Sequence, residues 1–145
     1  MNDQTPFYIE KLSPEYILYQ EVINMIATFM KSGEKMLILY HLKQTDTVEY
    51  ATAVYTFISE AMLLFPIIKN FAIYVNKQYD LSNFFKKYES ILTTVENDIY
   101  LNREKYNIYF LRQMYFDFIE ALIKIGLLSP LVKVIPSKKH KIDQI

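Results

Sequence analysis

Cysteine and tryptophan are missing from this chain, and glycine occurs only twice. Without thiols, disulfide frameworks, thiolate zinc sites and cysteine nucleophiles are excluded. Two glycines, Gly33 and Gly126, are too few for the phosphate-cradling loops and dinucleotide fingerprints that need several. They also weigh against an all-β fold with many tight turns. Long apolar runs are lacking as well. The longest, Ala61 to Ile68, has eight residues, against the roughly 20 that a membrane helix needs. It reads as core. The opening "MNDQTPFYIEKL" has no basic start followed by an apolar stretch, so no secretory leader is expected.

What is present fits a globular protein. Apolar residues make up 52% and charged residues 22% of 145 positions, which suggests one domain able to bury about two thirds of its unfolded surface. The formal net charge is zero, but it is unevenly spread. Residues 1–132 carry 12 Lys+Arg against 15 Asp+Glu, while "KVIPSKKHKIDQI" at 133–145 carries four lysines and one aspartate. This divides the chain into a helical domain, 1–132, and a basic C-terminal tail, 133–145. Such asymmetry marks an acidic body with a basic arm, or simply a polar end that keeps the chain soluble.

The body reads as helix. Ser13-Pro14-Glu15 combines a cap, a first-turn proline and an acid at the positive end of the helix dipole. A first arm over about 14–42 follows, with "KSG" at 31–33 expected to end or kink it. The loop "KQTDT" at 43–47 offers caps, and Ala51, Val54, Ile58, Ala61 and Phe65 then step at helical spacing. Pro66 is expected to kink or stop that helix, which then resumes to about Tyr79. Asp80 or Ser82 can cap a third helix, whose apolar side runs from Phe84 to Ile99. The clearest pattern is the last: Leu111, Tyr115, Phe118, Leu122 and Ile125 alternate steps of four and three, opposite Gln113, Asp117, Glu120 and Lys124, with Gly126 as the C-terminal cap. "LLSPLVKVIP" then reads as extended chain packed on the body. The expected class is all-α: an antiparallel bundle of about four main helices with a short extended tail.

Catalytic patterns are absent from the sequence. His41 has no carboxylate or histidine three or four positions away, and His140 lies among the tail lysines, so no metal site is expected. None of the seven serines sits in a nucleophile motif, and Glu96 and Asp98 do not share a helix face. The chain is therefore expected to be no enzyme, with no cofactor, no small-molecule substrate and no membrane partner. Binding is the remaining role. The 13 tyrosines and 10 phenylalanines include adjacent pairs such as Phe84-Phe85, Tyr109-Phe110 and Tyr115-Phe116. Neighbours on a helix lie about 100° apart, so one ring of a pair can leave the core, where tyrosine makes a good interface anchor. The candidate partner-binding cations are Lys133, Lys138, Lys139, His140 and Lys141 in the tail. Lys86, Lys87, Arg103, Lys105 and Arg112 form smaller groups on the body. Four tail lysines suffice for weak, salt-sensitive DNA binding without base readout.

The chain also has a recognisable style. It is cysteine-free, carries 18 isoleucines, and joins an all-helical body to "KVIPSKKHKIDQI". That is the style of an AT-rich genome such as that of a virus of a thermoacidophilic archaeon, where thermolabile residues are avoided. In length, composition and helical build it resembles the RNA polymerase inhibitory proteins of such viruses, though no single motif carries the likeness. The resemblance implies a protein that binds host RNA polymerase in its DNA-binding channel, in the host cytoplasm, and excludes DNA and initiation factors. The other expectation is a virion structural protein whose basic tail contacts DNA.

Overall fold

The computed structural model describes residues 14–92 and 107–129. Every regular element within them is an α-helix: α1 (Pro14–His41), α2 (Val48–Tyr74), α3 (Ser82–Leu92) and α4 (Ile108–Lys124). The all-α expectation holds. The tail, "LLSPLVKVIP" beyond Ser129, and the expected third-helix positions Val95 and Ile99 lie outside the described residues.

Side-chain contacts give the helix directions. Phe29 stacks on Phe57 while Tyr50 lies within electrostatic reach of Tyr40, so α2 runs back along α1. Phe29 meets Phe118, and Tyr109 lies close enough to Tyr40 to shift its titration, so α4 also runs opposite to α1. Helix α3 behaves differently. Phe65 meets Phe84 and Phe85, whereas Lys69, one turn later, meets Glu89, also later. Helix α3 therefore crosses α2 in the same sense rather than returning along it.

Two expected stops do not occur. Helix α1 runs through Gly33 unbroken. The reason is tertiary: a Cβ at position 33 would stand 2.5 Å from Tyr115 Cδ1 and 3.2 Å from Phe57 Cδ1. The glycine lets two helices approach α1 closely. Beside it, the buried Ser32 returns its hydroxyl to the carbonyls of Thr28 and Phe29, which satisfies it without breaking the helix. Helix α2 likewise runs through Pro66. Pro66 is exposed, so the carbonyl it frees one turn earlier lies on the water side of the helix.

Helix ends repeat one device. After α1, α2 and α4, a residue with positive φ (Lys43, Asn76 and Gly126) donates three residues back, and its successor donates five back: Gln44 to Leu39, Lys77 to Ala72, Leu127 to Leu122. This is the Schellman arrangement. It ends α2 at Tyr74, short of the expected Tyr79. Thr47 caps α2 by accepting from Tyr50 N–H, and Asn107 caps α4 by accepting from Tyr109 and Phe110 N–H.

The core is aromatic at its centre. Phe29, Phe57, Tyr88, Tyr115 and Phe118 are fully buried, and Phe118 links Phe29 at 5.1 Å to Phe84 at 5.0 Å between ring centroids. Each such pair contributes about 0.5–1.5 kcal/mol beyond the area it buries. The five α4 positions expected to face inward, Leu111, Tyr115, Phe118, Leu122 and Ile125, are all buried.

Candidate protein-docking surface

Three helices bring tyrosines to one end of the molecule. Tyr40 stands in the last turn of α1, Tyr50 in the first turn of α2 and Tyr109 in the first turn of α4. The antiparallel packing of α1 against α2 and α4 puts those turns together. The neighbouring Tyr109 side chain, with burial, raises the Tyr40 pKa, while the nearby Arg112 guanidinium pulls it down. Burial raises the half-buried Tyr50, with a smaller contribution from Tyr40. Arg112 lies over the Tyr109 ring, 5.4 Å from its centroid, a cation–π distance.

Exposed apolar side chains stand near the loop that joins α1 to α2, about 200° around their helices from Tyr40 and Tyr50. Tyr109 is 60% exposed, and Ile38, Leu42 and Val48 are exposed beside the loop that joins α1 to α2. Tyrosine and arginine are residue types that anchor protein interfaces, tyrosine because its rigid ring buries large area at low entropy cost and arginine because its planar guanidinium forms several hydrogen bonds at once. Chemically the cluster can offer hydroxyl hydrogen bonds, a guanidinium fork and flat ring faces.

The sequence-predicted cations do not form one patch. Lys86 is exposed on α3. Lys87 is held: its ammonium donates to Asp117 Oδ2 at 3.1 Å and sits 5.4 Å from the Tyr88 ring centroid. Asp117 also accepts from Tyr88 Oη at 2.5 Å and from Gln113 Nε2 at 2.8 Å. Arg112 precedes Asp117 by five residues, so the two project about 140° apart around α4, and Arg112 faces away from Lys86 and Lys87. Arg103, Lys105, Lys133, Lys138, Lys139, His140 and Lys141 lie outside the described residues. Charge is similarly divided. The described residues carry nine Lys+Arg and ten Asp+Glu, so these helices are close to neutral and two thirds of the body's acidic excess lies elsewhere in residues 1–132.

A cleft of about 270 Å³ opens between α3 and α4, with Asp80, Lys87, Asp117, Glu120 and Lys124 on its rim. Its central pair, Lys87 and Asp117, is spent on each other. Among the described residues no group of three or more His, Asp or Glu side chains is placed to hold a metal ion. His41 is exposed at the end of α1.

Sequence reasoning singled out Arg112 and the Tyr109-Phe110 pair but missed Tyr40 and Tyr50. The available signal was that all three tyrosines stand within a turn of a helix end, where antiparallel packing gathers them.

Helix α2 adds a second surface. It is long and apolar enough to cross a membrane, yet 39% of its apolar window is buried among the other helices. A continuous-run count understated it, because Glu60 and Lys69 interrupt a stretch that a longer window averages over. No family model, curated protein or solved structure matches the chain.

Proposed function

We propose that this chain acts by docking on another protein, and that the partner is host RNA polymerase, occupied in its DNA-binding channel so that DNA and initiation factors are excluded. The observation that carries the docking is the Tyr40–Tyr109–Arg112 cluster, with the Tyr109 ring 60% exposed under Arg112. The choice of polymerase comes from the resemblance in length, composition and helical style to the RNA polymerase inhibitory protein of the Acidianus two-tailed virus. Near-neutral helices give no broad negative field to imitate DNA. In this reading aromatic anchoring provides the affinity, and the lysine tail reaches an acidic patch near the catalytic carboxylates.

Gel filtration with archaeal RNA polymerase, and separately with duplex DNA, tests the proposal at low and moderate salt. Co-elution with polymerase that survives moderate salt is expected, together with loss of promoter-dependent transcription. Tyr109→Ala and Arg112→Ala are each expected to weaken binding at least tenfold, the effect of losing an interface anchor. Neutralising Lys138, Lys139 and Lys141 together should weaken inhibition, and unchanged inhibition by that triple variant removes the tail from the reading. Absence of polymerase binding, with salt-sensitive DNA binding and assembly into large particles, favours the second reading, a virion structural protein. The uncharged outer face of α2 is the observation on that side.

A further inference from the structure

The outward face of α2 carries no charge along its whole length. Val48, Tyr55, Leu63, Pro66 and Ile73 are exposed there, and the exposed polar residues among them are Thr52 and Asn70. Exposure is substantial, 52% at Leu63 and 56% at Ile73. The charges of α2 are Glu49, Glu60 and Lys69. At 100° per residue they project roughly a quarter turn to either side of this stripe. The opposite side, including Ala61, Leu64, Phe65 and Ile68, forms the core. Helix α2 is thus apolar on its inward side, uncharged on its outward side and charged only at its flanks, where a surface helix ordinarily turns charge to water.

We propose that this face pairs with the same face of a second copy of the chain, about a two-fold axis near Met62 and Leu63 at the middle of α2. A two-fold contact sets equivalent groups against each other near its axis, so any charge on the face would meet its like. This face has none to oppose. The chain's formal net charge of zero removes long-range repulsion between copies. A lipid surface fits less well. Interfacial helices set lysines and arginines beside their apolar face. The one such residue on α2, Lys69, is bound to Glu89 at 3.1 Å.

Size sets the strength. Twenty-seven residues make a stripe about 40 Å long and about 10 Å wide, or roughly 400 Å² per copy. That is about half the area of a standard stable interface, so the dimer is weak and forms as concentration rises. The inference is independent of the polymerase reading, because Tyr40 lies on α1 and Tyr109 and Arg112 on α4, none of them on the outer face of α2.

Light scattering of the purified full chain over about 1 μM to about 1 mM brackets the midpoint of such a dimer. The expected result is a mass that doubles with concentration. Leu63→Glu and Ile73→Glu should each raise the midpoint at least tenfold. Leu18→Glu, at an exposed position on α1, should leave it in place. Because the chain lacks cysteine, Leu63→Cys gives a second measurement that adds no charge. A short bis-maleimide should join Leu63→Cys into covalent dimers and leave Leu18→Cys as monomer. A mass that stays monomeric across the range overturns the proposal. So does equal weakening by Leu18→Glu, or equal cross-linking at both cysteines. Co-flotation of the chain with phosphatidylglycerol vesicles, abolished by Leu63→Glu, overturns it in favour of a lipid surface.

Discussion

Gly33→Ala separates two effects of opposite sign. Glycine inside a helix costs about 1 kcal/mol relative to alanine, so propensity alone predicts that the substitution stabilises α1. Packing predicts the reverse. The new Cβ would lie 2.5 and 2.6 Å from two ring carbons of Tyr115, whereas carbon atoms pack at about 3.5–4.0 Å. The ring must retreat by about 1 Å. It has little room to do so, being fully buried and in contact with Phe29 at 5.8 Å and Phe57 at 6.0 Å between centroids. Overpacking of this kind costs about 1–3 kcal/mol. Two clashing ring atoms, with Phe57 at 3.2 Å behind them, put this case at the upper end. The net expectation is a loss of about 2 kcal/mol, or about 7 °C in Tm for a chain of this size. Circular dichroism at 222 nm during heating and in urea measures it. Tyr115→Leu should absorb part of the clash, so the double variant should be less damaged than the sum of the single ones. An unchanged or higher Tm for Gly33→Ala would refute the argument that close helix approach, rather than helix termination, explains this glycine.

Two further substitutions probe buried polar groups. Tyr88→Phe removes the hydroxyl that donates to Asp117 and should lower stability by about 1 kcal/mol in urea titrations, since Asp117 keeps Lys87 and Gln113. Tyr88 and Tyr115 are both raised far above the ordinary tyrosine range, chiefly by burial and secondarily by Asp117 and Glu34. A raised folded pKa means stability that is complete below about pH 10 and declines as pH climbs above it. Tyr88→Phe should therefore flatten the alkaline loss of Tm, and an equally steep loss would exclude Tyr88 as a contributor. Burial also raises Glu60, whose Oε1 has no hydrogen-bond partner among the described residues. Its ionised form opposes folding above the ordinary carboxylate pKa, so Glu60→Gln should raise Tm at pH 7 and gain less at pH 4.

The legible parts of the fold were those that local chemistry decides. The alternating four-and-three spacing from Leu111 to Ile125 marked both α4 and its buried side, and Thr47 and Gly126 announced a cap and a stop. Neither Gly33 nor Pro66 stops its helix: Gly33 lies against Tyr115 far along the chain, and Pro66 stands on the water side of α2. Lys43 and Asn76 end helices in the left-handed region, and lysine gives no sign of that role. The candidate site was half legible. Arg112 and Tyr109 share a helix turn and could be paired by spacing, whereas Tyr40 and Tyr50 join them only through the packing of α1, α2 and α4.

The contact between Tyr115 and α1 spans most of the described chain; its hydroxyl reaches Glu34 across 81 residues at 3.4 Å. Helices α1 and α2, joined by a short loop, can meet as soon as both have left the ribosome. The groove they form is then lined by Phe29, Phe57 and the bare backbone of Gly33, shaped to receive a ring that has not yet been made. Local pairing comes early and long-range closure late. The interval between the synthesis of α2 and that of α4 is accordingly the period when this chain is most exposed to aggregation, and α4 is the piece that ends it.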